Sequence, residues 1–298
     1  MKLRTGFILF FAVFFLFYDN VQARMLVLES GLFNARPKTL RLDIVDIYAG
    51  YDKWTYEGDT TIYEYGRAIE NMAIAYTVSS SLEVSASMQY MYWQQRLNGS
   101  ETSHLAGFGQ FNADLKYCLG KAFTFGLKYF HPYQNTEKDL GGGRDFKGYF
   151  VLESKSSYLS VGTILTGAYS VNNQLTGEST DYDPGDVITG GIGFRFGGDK
   201  FKLLFEIRST NFALNKVNNT EMPGTDGNTI DLFPGMIFNL GKLEMKLGLG
   251  IGTGGTNLFG INGLNFNTEN LRGPGTNPTK YQEVSYDFTP VIGISYSF

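Results

Sequence analysis

Residues 286–298 read YDFTPVIGISYSF, which puts Tyr286, Phe288, Ile292, Ile294, Tyr296 and Phe298 on one parity of an extended chain. Side chains of a β-strand alternate between two faces, so this row forms a single apolar, aromatic-rich face, and the chain stops on it. The same grammar recurs upstream. Leu82, Val84, Ala86, Met88, Tyr90 and Tyr92 oppose Glu83, Ser85, Ser87 and Gln89, while Leu243, Met245, Leu247, Leu249 and Ile251 oppose Glu244, Lys246, Gly248, Gly250 and Gly252. A slip of one residue would carry charge onto the apolar face, so each register is strongly specified.

Outward from these segments, about twelve strands are expected, over residues 40–55, 66–78, 82–93, 108–119, 122–131, 148–155, 158–169, 187–196, 201–210, 229–239, 242–253 and 284–298. Most are near the length of about ten residues that crosses a bilayer at a tilt. Their connections alternate. Tight ones lie at Ser79-Ser80-Ser81, Leu119-Gly120-Lys121, Ser156-Ser157, residues 197–200 and Leu240-Gly241; those between are long and polar. Short periplasmic turns alternating with long extracellular loops define an all-β, antiparallel transmembrane β-barrel, and an even strand number puts both ends in the periplasm. A soluble β-sandwich would instead need two buried sheets and would not show this turn asymmetry. Aromatics collect near the ends of the lipid-facing rows: Tyr76, Tyr117, Phe123, Phe196, Phe201 and Phe238 by the tight turns, and Tyr90, Tyr92, Phe111, Tyr129 and Tyr286 by the long loops. These are the expected interfacial girdles.

The beginning of the chain has a different character. Lys2 and Arg4 precede an apolar run from Phe7 to Tyr18 and the small-residue ending Val21-Gln22-Ala23, a secretory signal peptide over residues 1–23. Its apolar run is too short for a spanning helix. Cys118 is the sole cysteine, so no intrachain disulfide exists and stability must come from barrel closure. The net charge of −4, about −5 once Lys2, Arg4 and Asp19 are removed, gives no reason to expect a nucleic-acid partner. Residues 24–38 (RMLVLESGLFNARPK) fit no strand pattern and are either a short lumenal plug or a periplasmic tail. The barrel then occupies residues 39–298. In its first strand Leu40, Leu42 and Ile44 share a parity that shifts to Ile47, Ala49 and Tyr51, which predicts a bulge near Val45.

Four stretches together carry a family resemblance: Tyr76 to Trp93 (YTVSSSLEVSASMQYMYW), Gly107 to Gly120 (GFGQFNADLKYCLG), Asp231 to Gly241 (DLFPGMIFNLG) and the terminal TPVIGISYSF. They resemble the outer-membrane transporters encoded beside phenol meta-cleavage pathways, with Gly109-Gln110 standing where that family has Gly-Asp. The resemblance implies an outer-membrane location and hydrophobic or aromatic solutes. Leu258, Phe259, Ile261, Leu264 and Phe266, in the last long loop, offer an apolar patch that would collect such solutes, or a segment that folds inward and narrows the pore.

Inward parity carries a mixed set of charges: Glu83, Asp114, Lys116, Lys128, Arg195, Lys202, Glu206, Arg208, Asp231, Glu244, Lys246 and Asp287. They are the expected pore lining, either a selectivity filter or a set of pairs within a closed interior. On the first reading Arg195, Lys202 and Arg208 attract anions; on the second they pair with Glu206 and Glu83. Glu178, Asp181, Asp183 and Asp186 form an acidic loop that either is merely solvated or holds calcium or lipopolysaccharide. Gly250 to Gly255 matches a dinucleotide fingerprint by letter but opens no helix, so it carries no phosphate reading. His104 and His131, the two available imidazole bases, fall near the outer rim without a recognisable active-site motif, so no catalytic residue, metal or cofactor is expected. The expected partners are outer-membrane lipid and lipopolysaccharide, the assembly machinery through Phe298, and a small-molecule solute. Passive passage of small molecules is the expected function; its rival is a structural barrel, closed inside, that works through loops such as residues 254–283.

Overall fold

The computed structural model describes residues 28–32, 36–54, 63–98, 100–120, 122–132, 144–172, 179–183, 185–221, 226–252 and 288–298. The signal peptide, the apolar loop patch, Tyr286 and Asp287 therefore lie outside the described residues. Among those residues the strands are β1 (Thr39–Trp54), β2 (Tyr63–Ser79), β3 (Leu82–Leu97), β4 (Ser100–Leu119), β5 (Phe123–Pro132), β6 (Asp145–Glu153), β7 (Ser157–Leu165), β8 (Tyr169–Asn172), β9 (Ser179–Asp183), β10 (Val187–Gly197), β11 (Phe201–Phe212), β12 (Lys216–Val217), β13 (Thr220–Glu221), β14 (Gly227–Leu240), β15 (Leu243–Gly252) and β16 (Phe288–Ser297).

Twelve of these close into one antiparallel barrel in the order β1-β16-β15-β14-β11-β10-β7-β6-β5-β4-β3-β2. First and last strands meet from Arg41↔Ser297 to Ile47↔Val291, and the Phe298 N–H donates to the Leu40 carbonyl at 2.8 Å. Closure leaves no open edge in the wall, which is the condition for a sheet to sit in hydrocarbon. Tight turns sit where the sequence places them, and Gly120 (φ 71°) and Gly241 (φ 77°) take the left-handed conformation that two of them need.

The alternation is expressed as two faces of opposite chemistry. Ile74, Leu115, Leu127, Val161, Leu203 and Ile292 are exposed on the outer wall, whereas Glu83, Glu206 and Glu244 are fully buried inside. Large apolar side chains out and carboxylates in is the inverse of a soluble core, and it fits a wall solvated by lipid. Tyr76, Tyr117, Phe123, Phe196 and Phe201 are exposed at the turn end, and Tyr90 and Phe111 toward the loop end.

Three features differ from the sequence reading. The β1–β2 register runs unbroken from Thr39↔Thr77 to Ala49↔Arg67 and slips only between Ala49 and Asp52, so the irregularity expected near Val45 lies further along. The second long connection is a continuation of the wall: β3 and β4 stay paired to Leu97↔Ser100, with Asn98 (φ 49°) in the left-handed conformation of a tight turn. Finally, β8, β9, β12 and β13 form a separate small sheet in the order β13-β12-β9-β8, outside the barrel ladder.

Candidate functional site

Every inward charge named from the sequence and described here faces the barrel interior, and most are held in pairs. On inward parity the nearest neighbours of a residue are the one directly opposite and those two along the same strand. Glu83 lies opposite Lys116 with the ions 3.6 Å apart, and Arg208 lies opposite Asp231 at 3.2 Å. Lys246 sits 3.4 Å from Glu244, two residues away on β15. Glu83 also accepts from Arg41 and from the Thr77 hydroxyl, each at 3.1 Å, and Arg41 is shared with Asp43. Arg195 pairs with Glu153, not with Glu206 or Glu83, and Glu206 instead accepts the Tyr158 hydroxyl proton. Lys202 faces inward at the turn end, opposite Gly197 and Ile237. Opposite charges on opposed or next-but-one positions compensate one another where they are buried.

Residues 28–32 run inside this interior, with Leu28, Glu29, Ser30 and Leu32 each bonded to the wall. The Leu32 N–H donates to Thr124 Oγ1 at 3.0 Å near the turn end of β5, and Lys116 Nζ donates to Ser30 Oγ at 3.3 Å. Glu29 is clasped by Lys147 at 2.8 Å and Lys128 at 3.1 Å. The Leu28 N–H donates to Glu206 at 3.2 Å, and its side chain packs on Tyr149, Val151 and Tyr158. The wall is shaped for this. Tyr149 stands opposite Gly126 and Gly162, and Tyr158 opposite Gly193, so each ring lies across a strand position where a Cβ would collide with it. Gly191 in turn leaves room for Leu28.

Burial works against the Glu29 charge, but Lys128 and Lys147, with Lys116 behind them, outweigh it and hold the carboxyl well below the ordinary carboxylate range. A depressed acid stabilises the seated segment fully above its free value of 4.5, and that stability drains away as pH falls below it toward the depressed value. The expected result is a segment that stays seated from neutral pH down to about 4.5 and loosens progressively in stronger acid. Limited proteolysis across a pH series checks this; loosening between pH 7 and 5 would contradict it.

Arg41, Asp43, Lys147, Tyr149, Glu153 and Tyr158 belong to this interior but were not singled out from the sequence. The parity rule reaches them all: Lys147 sits one residue before the expected start of the sixth strand, and the inward tyrosines face glycines across the register. Elsewhere, His131 accepts or donates at 3.1 Å to the Tyr129 hydroxyl and pairs in register with Phe111. His104 pairs with Gln94 much further along β4, so the two backbone positions are about 23 Å apart along the strand. In the acidic loop, Asp181 accepts the Ser170 hydroxyl proton at 2.9 Å and Asp186 the Thr166 N–H at 3.0 Å, so both carboxylates brace loop backbone and side chains.

No family model and no curated protein matches the chain. Among solved structures it is similar to an outer-membrane channel from Pseudomonas putida F1, with a TM-score of 0.60 at 11% identity over 93% of this chain and 100% of that one. The fold is that of a closed twelve-stranded outer-membrane β-barrel. The translocator domain of the autotransporter NalP from Neisseria meningitidis also aligns, with a TM-score of 0.51 at 10% identity over 89% of this chain and 91% of that one. The monoaromatic hydrocarbon channel CymD aligns at 0.47 and 11% identity, covering 93% of this chain and 95% of that one. At such identities the likeness is one of fold. Together with the apolar outer wall, that fold locates the chain in an outer membrane among lipid and lipopolysaccharide.

Proposed function

We propose that this barrel is a channel for passive passage of small molecules, closed from the turn end by its own N-terminal segment. The observation that carries the reading is the seating of Leu28–Glu29–Ser30–Gly31–Leu32 on side chains from β4, β5, β6 and β11. Such a segment is held reversibly, since each hydrogen bond contributes only about 1 kcal/mol net. Residues 24–38 thus act as a plug, and Glu83, Asp114, Lys116, Lys128, Arg195, Lys202, Glu206, Arg208, Asp231, Glu244, Lys246 and Asp287 line the path that it occupies. The resemblance to transporters encoded beside phenol meta-cleavage pathways extends the reading to hydrophobic or aromatic solutes.

In planar bilayers the intact protein is expected to open rarely and a chain lacking residues 24–32 to conduct steadily, while proteoliposomes of the latter take up a labelled monoaromatic faster than a sugar or amino acid of similar mass. Silence from both proteins would favour the rival reading, a closed structural barrel, which the pairing of the lumenal charges also fits. Equal uptake of all three solutes would leave an unselective pore.

Phe298 is the proposed contact with the assembly machinery. Its ring is exposed on the outer wall and packs edge-on against Tyr296, with centroids 4.8 Å apart. Removing it sacrifices one backbone bond and little packing, so a stability loss alone would be about 1 kcal/mol. A sharp fall in assembled, heat-modifiable protein in cells, with refolding in detergent unchanged, is the expected result.

A further inference from the structure

Lys128 and Lys147 stand directly opposite each other on β5 and β6, both facing the interior. Like charges at a directly opposed pair repel, and a wall built for stability alone would place an acid at one of the two positions. The wall does carry an acid close by, Asp114, directly opposite Lys128 on β4, but both its oxygens accept the Tyr149 hydroxyl proton at 2.9 Å, it lies 3.9 Å from Lys116, and Lys128 takes its ion pair from Glu29 instead. The carboxylate between the two lysines is therefore not part of the wall. It is Glu29, delivered by the N-terminal segment, and both lysines and Glu29 keep some contact with solvent.

The surroundings of that carboxylate are aromatic and apolar. Lys128 and Lys147 each lie 5.9 Å from the Tyr149 ring centroid, and Lys128 lies equally far from Phe130. Beside Glu29, Leu28 rests on Tyr149, Val151 and Tyr158. Leu28 and Glu29 thus present an apolar body joined to a carboxylate.

We propose that the Lys128–Lys147 clasp is a binding site for small carboxylic acids with an aromatic or aliphatic body, which take the place of Glu29 and its neighbour Leu28. The carboxylate bridges the two ammonium groups, and the body lies against Tyr149 and Tyr158. Binding and seating of the segment are then mutually exclusive, so such a solute loosens its own obstruction. This deepens the channel reading above and rests on the segment being displaceable.

Equilibrium dialysis of the purified full-length protein in detergent, with labelled benzoate as probe and benzyl alcohol as its uncharged counterpart, tests the site without reference to conductance. Glu29→Gln, which removes the competing charge and leaves both lysines, is expected to bind benzoate about tenfold more tightly than the parent. Benzyl alcohol should bind weakly to both. Combining Glu29→Gln with Lys128→Gln and Lys147→Gln is expected to abolish benzoate binding while heat-modifiable gel mobility reports an intact barrel; Lys147→Gln alone serves if the triple variant fails to fold. Equal benzoate affinity in parent and Glu29→Gln, or binding that survives loss of the lysines, would overturn the proposal. Benzoate binding to a protein that never conducts would uphold the site and remove the channel. Conduction without benzoate binding would do the reverse.

Discussion

Glu83→Leu is expected to destabilise the barrel by about 3–5 kcal/mol, the range for removing one partner of a buried ion cluster and leaving the others uncompensated. Glu83 is only 1% exposed and is shared by Arg41, Lys116 and the Thr77 hydroxyl. Leucine matches its volume approximately, so packing changes little and the loss is electrostatic. Two cations would then face each other at the turn end, with Asp43 and Asp114 as the nearest remaining acids. Denaturant unfolding of detergent-refolded protein, followed by gel mobility, reads the change. Adding Lys116→Met to Glu83→Leu should recover part of the loss, because it removes the cation left over while Arg41 keeps its pair with Asp43. A cost below about 1 kcal/mol for Glu83→Leu would mean that Asp43 and Asp114 absorb both cations.

The wall was legible because a lipid-facing sheet is the most constrained of patterns. Leu243 to Gly252 admits a single register, and the Leu240–Leu243 pairing across the β14–β15 turn follows from it. The interior charges followed from the same parity. Their partners did not: whether Arg195 meets Glu153 or Glu206 depends on strand stagger, which alternation within single strands does not encode. The seat of residues 28–32 was less legible still. Nothing in LESGL alternates, and its contacts reach across a sequence separation of up to 178 residues, so only the closed barrel brings Glu206 to Leu28. A local clue existed in the inward glycines opposite Tyr149 and Tyr158, since a ring lying across a glycine announces a surface shaped for something to rest on it. The small outer sheet was missed because β12 and β13 are two residues each, too short for any periodicity.

Glu29→Lys is expected to unseat the N-terminal segment. It replaces an anion 2.8 Å from Lys147 and 3.1 Å from Lys128 by a third cation among them. At an effective dielectric of about 20, one such contact at 4 Å amounts to about 4 kcal/mol. Lumenal water and salt screen this, because the lysine side chains are 12% and 20% exposed. A net shift of about 3 kcal/mol remains, which raises the unseated population about a hundredfold. With Ser30→Cys as a reporter and Cys118→Ser to clear the background, maleimide labelling of the native protein should accelerate by about that factor on adding Glu29→Lys. Ser30 is suited to the task because it follows Glu29 in the seated segment and its hydroxyl accepts from Lys116 at 3.3 Å. Glu29→Gln should give a smaller acceleration, since it removes the attraction without adding repulsion. If labelling stays slow in Glu29→Lys while the barrel keeps its heat-modifiable mobility, the remaining contacts, Leu28 with Glu206 and Leu32 with Thr124, suffice to hold the segment, and its seating is structural rather than a gate.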